Sequence, residues 1–158
     1  ATFVEEMGVQ EWLRDRGDTR ALGSYQSRRS WRARVVNQIF NHRASLVRLY
    51  RSGLSADVMR KKKELLFAHF RERYRNERSV GQHPKIWDHW VLGKPNNAHL
   101  NAITAYHQYI PAFQQLFEGN GSNLNVFFEK VRALTEVTPT DRVRQLSRLR
   151  SLPLKGLD

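Results

Sequence analysis

The stretch Pro95–Phe113, with the sequence PNNAHLNAITAYHQYIPAF, organises the chain because it sets uncharged polar groups among apolar ones. A helix over this stretch would bury one set of side chains together, namely Leu100, Ile103 and either Tyr106 or His107. Several hydrogen-bonding groups would then lie close to the core, where each needs a partner or a ligand. The sequence therefore predicts a site here, with the rest of the chain as its scaffold.

The size and composition of the chain indicate a folded protein. Its 158 residues are 40% hydrophobic and 27% charged, and they include 4 Trp, 8 Phe and 5 Tyr, which is enough for a core. We predict one α-helical domain over residues 1–150 and a loose tail over residues 151–158. No apolar run approaches the roughly 18 residues that a membrane span requires. Without Cys, disulfides and thiolate metal sites are excluded, and the compartment stays open.

Apolar residues recur at helical spacing along the chain, and no alternating strand pattern stands out. The pattern predicts a helix over residues 1–16 that ends at Gly17, and a long helix over residues 20–52 that ends at Gly53. Further helix starts are predicted at Ser55, Pro111, Ser122 or Asn123, and Thr138. The predicted fold is all-α, an irregular bundle of six or seven helices.

Two arginines fall inside the apolar stripe of the long predicted helix. Arg32 and Arg43 share a face with Val35, Val36 and other core candidates. An arginine on such a face must extend its head outward, pair with a carboxylate or bind a ligand anion. Glu5 or Glu6 is a candidate partner for such a pair.

The net charge of +12 is concentrated in one part of the chain. Residues 14–78 hold 18 Lys and Arg against 6 Asp and Glu, whereas residues 79–158 hold 9 against 6. Such an excess can attract nucleic acid or acidic surfaces. Because no recognition motif accompanies it, we favour a solvated helix face, or a face that meets acidic partners, over nucleic-acid binding. A non-enzymatic module that binds nucleic acid or an acidic protein through residues 28–75 is the competing hypothesis.

The histidines of the chain do not form a metal-binding pattern. None of the six forms a His-Glu-x-x-His motif, and no two lie three or four residues apart. The chain also has no Gly-rich phosphate loop and no nucleophile elbow. We therefore expect no metal ligand and no bound cofactor in this chain alone.

Three stretches resemble the C-terminal half of a bacterial family of predicted zinc aminopeptidases. They are Ala1-Thr2-Phe3-Val4-Glu5-Glu6-x-Gly8, Gly53-Leu54-Ser55, and Asn96-Asn97-Ala98-x-Leu100 continuing through Tyr106 to Pro111-Ala112-Phe113. Their order and spacing match along nearly the whole chain, and the last stretch is the most specific. The resemblance implies the C-terminal part of a gluzincin-like metallopeptidase that hydrolyses the N-terminal residue from peptides.

The resemblance also implies that zinc is held elsewhere in a longer protein. In that family a His-Glu-x-x-His helix supplies two zinc ligands and the general base, and an Asn-Glu-Ser-Phe motif supplies the third ligand. This sequence begins just after that motif. The expected partners are therefore a peptide substrate and a missing N-terminal metal-binding half, without which the chain should be inactive.

Four residues are predicted to form the part of the site that this chain contributes. Tyr106 is the catalytic candidate, because a Tyr hydroxyl can stabilise the oxyanion at a zinc site. Asn96 and Asn97 are substrate-binding candidates, since amide groups can hold a peptide backbone. Glu5 would orient a zinc ligand or bind the substrate's ammonium group. In the alternative interpretation, Asn97 caps the helix and Tyr106 packs with its hydroxyl at the surface.

Overall fold

The structure is a computed structural model, and it describes residues 2–80, 83–93 and 95–150. These residues form seven α-helices of nine residues or more, one five-residue α-helix and one 3-10 turn, with no strand among them. The predicted all-α fold of six or seven helices is therefore confirmed. The predicted loose tail, residues 151–158, lies outside the described residues.

The helices follow one another with short connections. In chain order they are α1 (Thr2–Asp15), α2 (Thr19–Tyr50), α3 (Ala56–Ser79), α4 (Asp88–Leu92), α5 (Asn97–His107), α6 (Ile110–Glu118), α7 (Leu124–Glu136) and α8 (Pro139–Arg150), with a 3-10 turn at Lys85–Trp87 before α4.

Local chemistry explains where these helices begin and end. Gly17 and Gly53 have φ values of 65° and 67°, a left-handed conformation that glycine adopts without strain after a helix. Asp18 caps α2, because its Oδ1 accepts a hydrogen bond from the Ala21 N–H at 2.9 Å. Asn123 and Thr138 accept equivalent bonds at the starts of α7 and α8. Both were predicted as caps, since caps depend on neighbours along the chain.

The chain divides into two compact units. Among the described residues, the smaller unit contains residues 2–12 and 107–150, and the larger unit contains residues 13–80, 83–93 and 95–106. The single domain over residues 1–150 stays a prediction.

The core of the larger unit is built on the packing of α2 against α3. Its buried side chains are Trp31, Val35, Ile39 and Leu46 from α2, Phe67, Phe70 and Tyr74 from α3, Val91 from α4 and Leu100 from α5. At one end of this core, the Tyr74 hydroxyl donates to Asp88 Oδ1 at 2.7 Å, and Arg78 Nε lies 3.1 Å from the same oxygen. Burial and the bond to Asp88 raise the pKa of Tyr74 above its usual value.

The smaller unit has an aromatic core. The ring of Phe3 in α1 lies 5.7 Å from that of Phe117 and 5.4 Å from that of Phe127, centroid to centroid. Arg142 of α8 closes the end of α7, because its guanidinium donates to the carbonyl oxygens of Leu134, Thr135 and Val137. Those carbonyls would otherwise have no partner within the helix.

Two polar side chains of α2 are buried in the larger unit. His42 stacks on Phe70 at 4.7 Å and meets Phe67 edge-on at 4.5 Å. Its Nε2 and both polar atoms of the Gln38 side chain have no hydrogen-bond partner among the described residues. Burial, and then the charge of Arg71, lower the pKa of His42 to about 4. His42 is therefore neutral in the folded protein near neutral pH.

We expect His42 to make stability depend on pH between about 6.5 and 4. In that window the unfolded chain binds a proton on His42 and the folded chain does not, so the free energy of unfolding should fall as pH falls, by at most about 3 kcal/mol. Urea unfolding at pH 7, 5.5 and 4 measures the change. His42→Leu should flatten the curve, whereas His69→Gln, at an exposed position of α3, should not. Equal pH curves for the wild type and His42→Leu would contradict this account.

Candidate functional site

The start of α5 is fixed by a reciprocal pair of hydrogen bonds. Asn96 Oδ1 accepts from the His99 N–H at 3.1 Å, and His99 Nδ1 accepts from the Asn96 N–H at 3.2 Å. This is the geometry of a capping box, with His in the place that Glu or Gln usually takes. Asn96 is therefore the cap of this helix, and the alternative interpretation that placed the cap at Asn97 was wrong.

A polar seam joins α2 to α5 along the edge of the core. It consists of four residues, Arg43, Tyr50, Asn97 and Asn101, which form two contacts. Arg43 Nε donates to Asn101 Oδ1 at 2.8 Å, and Asn97 Nδ2 lies 3.0 Å from the Tyr50 hydroxyl. Arg43 is thus held by a neutral amide and not by a carboxylate. Its charge has no ion-pair partner in the part of the chain that the structure describes.

Tyr106 lies on the last turn of α5 and is 78% exposed. The expectation that α5 buries Leu100 and Ile103 is confirmed, since Leu100 is 1% exposed and Ile103 packs against the core. The expectation that Tyr106 could complete that buried side is wrong; His107 is the partly buried one of the two. A phenol with this exposure is within reach of a ligand.

Glu5 lies in the smaller unit, on an exposed position of α1, whereas its neighbour Glu6 is buried. Adjacent helical residues point about 100° apart, so the two carboxylates have different surroundings. An exposed carboxylate can meet an ammonium group. The roles of Glu5, Asn96, Asn97 and Tyr106 towards a substrate stay predictions.

The described donors do not fit a zinc site. Among residues 2–80, 83–93 and 95–150, no three His, Asp or Glu side chains group as metal ligands. The donors that lie close in sequence are engaged in packing: Asp88 bonds Tyr74, and the His83 ring stacks 4.2 Å from that of Trp31. In the same described residues, no helix is long and apolar enough to cross a membrane.

Helix α2 has a charge pattern that the sequence analysis missed. It carries seven Arg and no Asp or Glu, and no acid occurs anywhere between Asp18 and Asp57. Two of these arginines meet partners other than carboxylates: Arg34 lies 3.4 Å from His83 Nε2, and Arg48 donates to Ser45. Counting charges by helix, and not by region, would have found this pattern.

An open pocket of about 410 Å³ lies where α1 ends and α2 begins. The lining residues are Leu13, Asp18, Arg20, Ala21, Ser24 and Arg28. Arg20, Ser24 and Arg28 are four residues apart in turn, so they lie on one face of α2. Arg20 and Arg28 have no ion-pair or hydrogen-bond partner within the described ranges.

Comparison with known proteins gave one match. A family model with the description "Putative aminopeptidase" matches residues 1–146, which is more than nine-tenths of the chain. No curated protein and no solved structure gave a significant match.

We expect Asn96→Ala to destabilise the protein by about 1 kcal/mol, because the mutation removes the side-chain acceptor at the start of α5. Asn96→Ser should keep most of the stability, since Ser is an equally good cap. Thermal and urea unfolding measure both changes. Asn125→Ala, at an exposed helical position, serves as the control and should cost nothing. A loss in Asn96→Ser as large as that in Asn96→Ala would refute the capping role.

Proposed function

The chain belongs to the aminopeptidase family whose model matches it, and we propose that it takes part in removing N-terminal residues from peptides. The match over residues 1–146 carries this proposal. Zinc and the residues that hold it are proposed to come from a part of the protein outside the 158 residues, as the sequence resemblance implies. When bound, zinc would supply an activated water for attack on the peptide carbonyl. This chain would supply a wall of the substrate cleft.

In this proposal α5 presents the groups that meet the substrate. The exposed Tyr106 hydroxyl donates a hydrogen bond to the oxygen that becomes negative when water attacks the peptide carbonyl. Asn96 Nδ2 has no hydrogen-bond partner among the residues described, so it can donate to a peptide carbonyl while Oδ1 caps the helix. Glu5 lies in the smaller unit, and its role is a separate proposal: its exposed carboxylate would bind a peptide's ammonium group.

Asn97 takes a positioning role in this proposal. Both polar atoms of its amide lie within hydrogen-bond distance of the Tyr50 hydroxyl, at 3.0 and 3.4 Å, so the amide is already occupied. The polar seam instead fixes α5 against α2. Tyr106 lies on the last turn of the helix that the seam holds.

The activity is tested on the complete natural protein that contains this chain. We expect it to release the first residue from unblocked peptides, detected by mass spectrometry, and to leave N-acetylated peptides intact because they lack the ammonium group. A zinc chelator should abolish the release, and added zinc should restore it. If unblocked peptides are not cleaved, or if acetylated peptides are cleaved equally fast, the proposal fails.

Tyr106→Phe should lower kcat by about 100-fold or more with little change in KM, because an oxyanion donor acts on the transition state. Glu5→Gln should mainly raise KM, because the ammonium group is bound in both ground and transition states. Glu11→Gln, at another exposed position of α1, is the matched control for charge. Circular dichroism checks folding. Wild-type kinetics in Tyr106→Phe would remove Tyr106 from the catalytic site.

The absence of acids from α2 supports a second candidate function. A long helix whose charges are all positive could bind nucleic acid or an acidic protein without any enzymatic activity. Affinity for a random oligonucleotide that falls steeply with salt, in a protein that cleaves no peptide, would favour this function. Peptide cleavage with weak oligonucleotide binding would favour the aminopeptidase.

A further inference from the structure

The pocket between α1 and α2 presents charges of both signs beside an apolar surface. Arg20 and Arg28 carry the positive charges, Asp18 carries the negative charge, and Leu13 and Ala21 supply apolar contacts. Its volume of about 410 Å³ is in the range of small-molecule sites. All six lining residues belong to the larger unit.

The charged side chains of this pocket have donor and acceptor atoms that can still bind a ligand. The guanidinium groups of Arg20 and Arg28 lack partners in the part of the chain that the structure describes, and each offers a planar set of donors that matches a carboxylate. Asp18 uses Oδ1 to accept from the Ala21 N–H, and Oδ2 has no partner in the same residues.

The presence of both positive and negative side chains in the pocket favours some classes of ligand over others. A phosphate or a simple carboxylate would gain from the two arginines but would be repelled by Asp18. A ligand with an ammonium group and a carboxylate can satisfy both signs at once. An apolar side chain on that ligand would find Leu13 and Ala21.

We propose that this pocket binds a zwitterionic α-amino acid or dipeptide. Its ammonium group pairs with Asp18, its carboxylate pairs with Arg20 and Arg28, and its side chain contacts Leu13 and Ala21. Ser24 lies between the two arginines on the same helix face and donates its hydroxyl to the carboxylate.

This binding site goes beyond the proposed peptidase activity. It rests on the proposed function only for the source of the ligand, because an aminopeptidase releases free amino acids. Binding itself does not require the protein to be an enzyme. The test therefore measures binding, so that failure of the pocket and failure of the peptidase are separate results.

The test is isothermal titration calorimetry on the complete protein with five probes: leucine, leucyl-leucine, N-acetyl-leucine, leucinamide and inorganic phosphate. We expect leucine or leucyl-leucine to bind with a Kd on the order of millimolar, as is typical for so small a ligand. Whichever of the two binds tighter identifies the preferred length. N-acetyl-leucine lacks the ammonium group and leucinamide lacks the carboxylate, so each should bind at least about tenfold more weakly.

Variants assign the binding to this pocket and not to a catalytic cleft. Asp18→Asn removes the charge but retains a good helix cap, and it should weaken leucine binding about tenfold without changing the melting temperature. Asp18→Ser repeats the test with a second cap. The double variant Arg20→Gln/Arg28→Gln should weaken both leucine and N-acetyl-leucine. Arg48→Gln, on the same helix outside the pocket, should bind leucine like the wild type.

Two results would overturn the proposal. If phosphate binds as tightly as leucine and competes with it, the pocket is a simple anion site. If leucine binds equally well to the wild type, to both Asp18 variants and to the double arginine variant, the ligand lies elsewhere or only in the catalytic cleft. Peptide hydrolysis is measured in parallel, and it should persist in all these variants.

Discussion

The packing of α2 against the aromatic face of α3 is the constraint on which the larger unit depends. Phe67, Phe70 and Tyr74 form that face, and they bury Trp31 and Ile39 of α2. Burying a side chain of this size contributes about 1.5–3 kcal/mol, so this contact dominates the unit. The polar seam and the buried Leu100 both tie α5 to this same core. The position of any site on α5 therefore depends on how α2 and α3 pack against each other.

How much could be predicted from the sequence depended on how far apart the interacting residues are. The ends of α1 and α2 near Gly17 and Gly53, and the start of α8 at Thr138, were predictable because capping depends on residues within four positions along the chain. The cap of α5 was placed one residue too late, since either Asn96 or Asn97 could serve and only the geometry of His99 decides. The contact between Arg43 and Asn101 spans 58 residues, and periodicity along one helix carries no information about it. The burial of Gln38 and His42 was missed for the same reason: a polar residue is buried by what packs against it.

The candidate site illustrates a general difficulty with polar residues near a core. The many polar residues of α5 suggested side chains that bind a ligand. The structure instead shows Asn97 hydrogen-bonded to Tyr50 and Asn101 hydrogen-bonded to Arg43. Asn97 is half-buried and Asn101 is exposed, so these contacts join side chains at the edge of the core and not within it. Tyr106 is 78% exposed, and Asn96 Nδ2 has no hydrogen-bond partner among the residues that the structure describes. The family match agrees with a peptide substrate but assigns no role to either residue.

The absence of acids from α2 gives this helix the behaviour of a polyelectrolyte. Its 32 residues extend over about 48 Å, and its seven like charges lie mostly within a Debye length, about 8 Å, of a neighbour at physiological salt. No residue of the helix itself can neutralise them, so their charges are balanced by groups outside the helix, including dissolved anions. The folded state of α2 is then coupled to the ionic atmosphere, and added salt should stabilise it where it would weaken a helix held by ion pairs. The stability of this helix therefore depends on the ions in the surrounding solution as well as on the contacts within the protein.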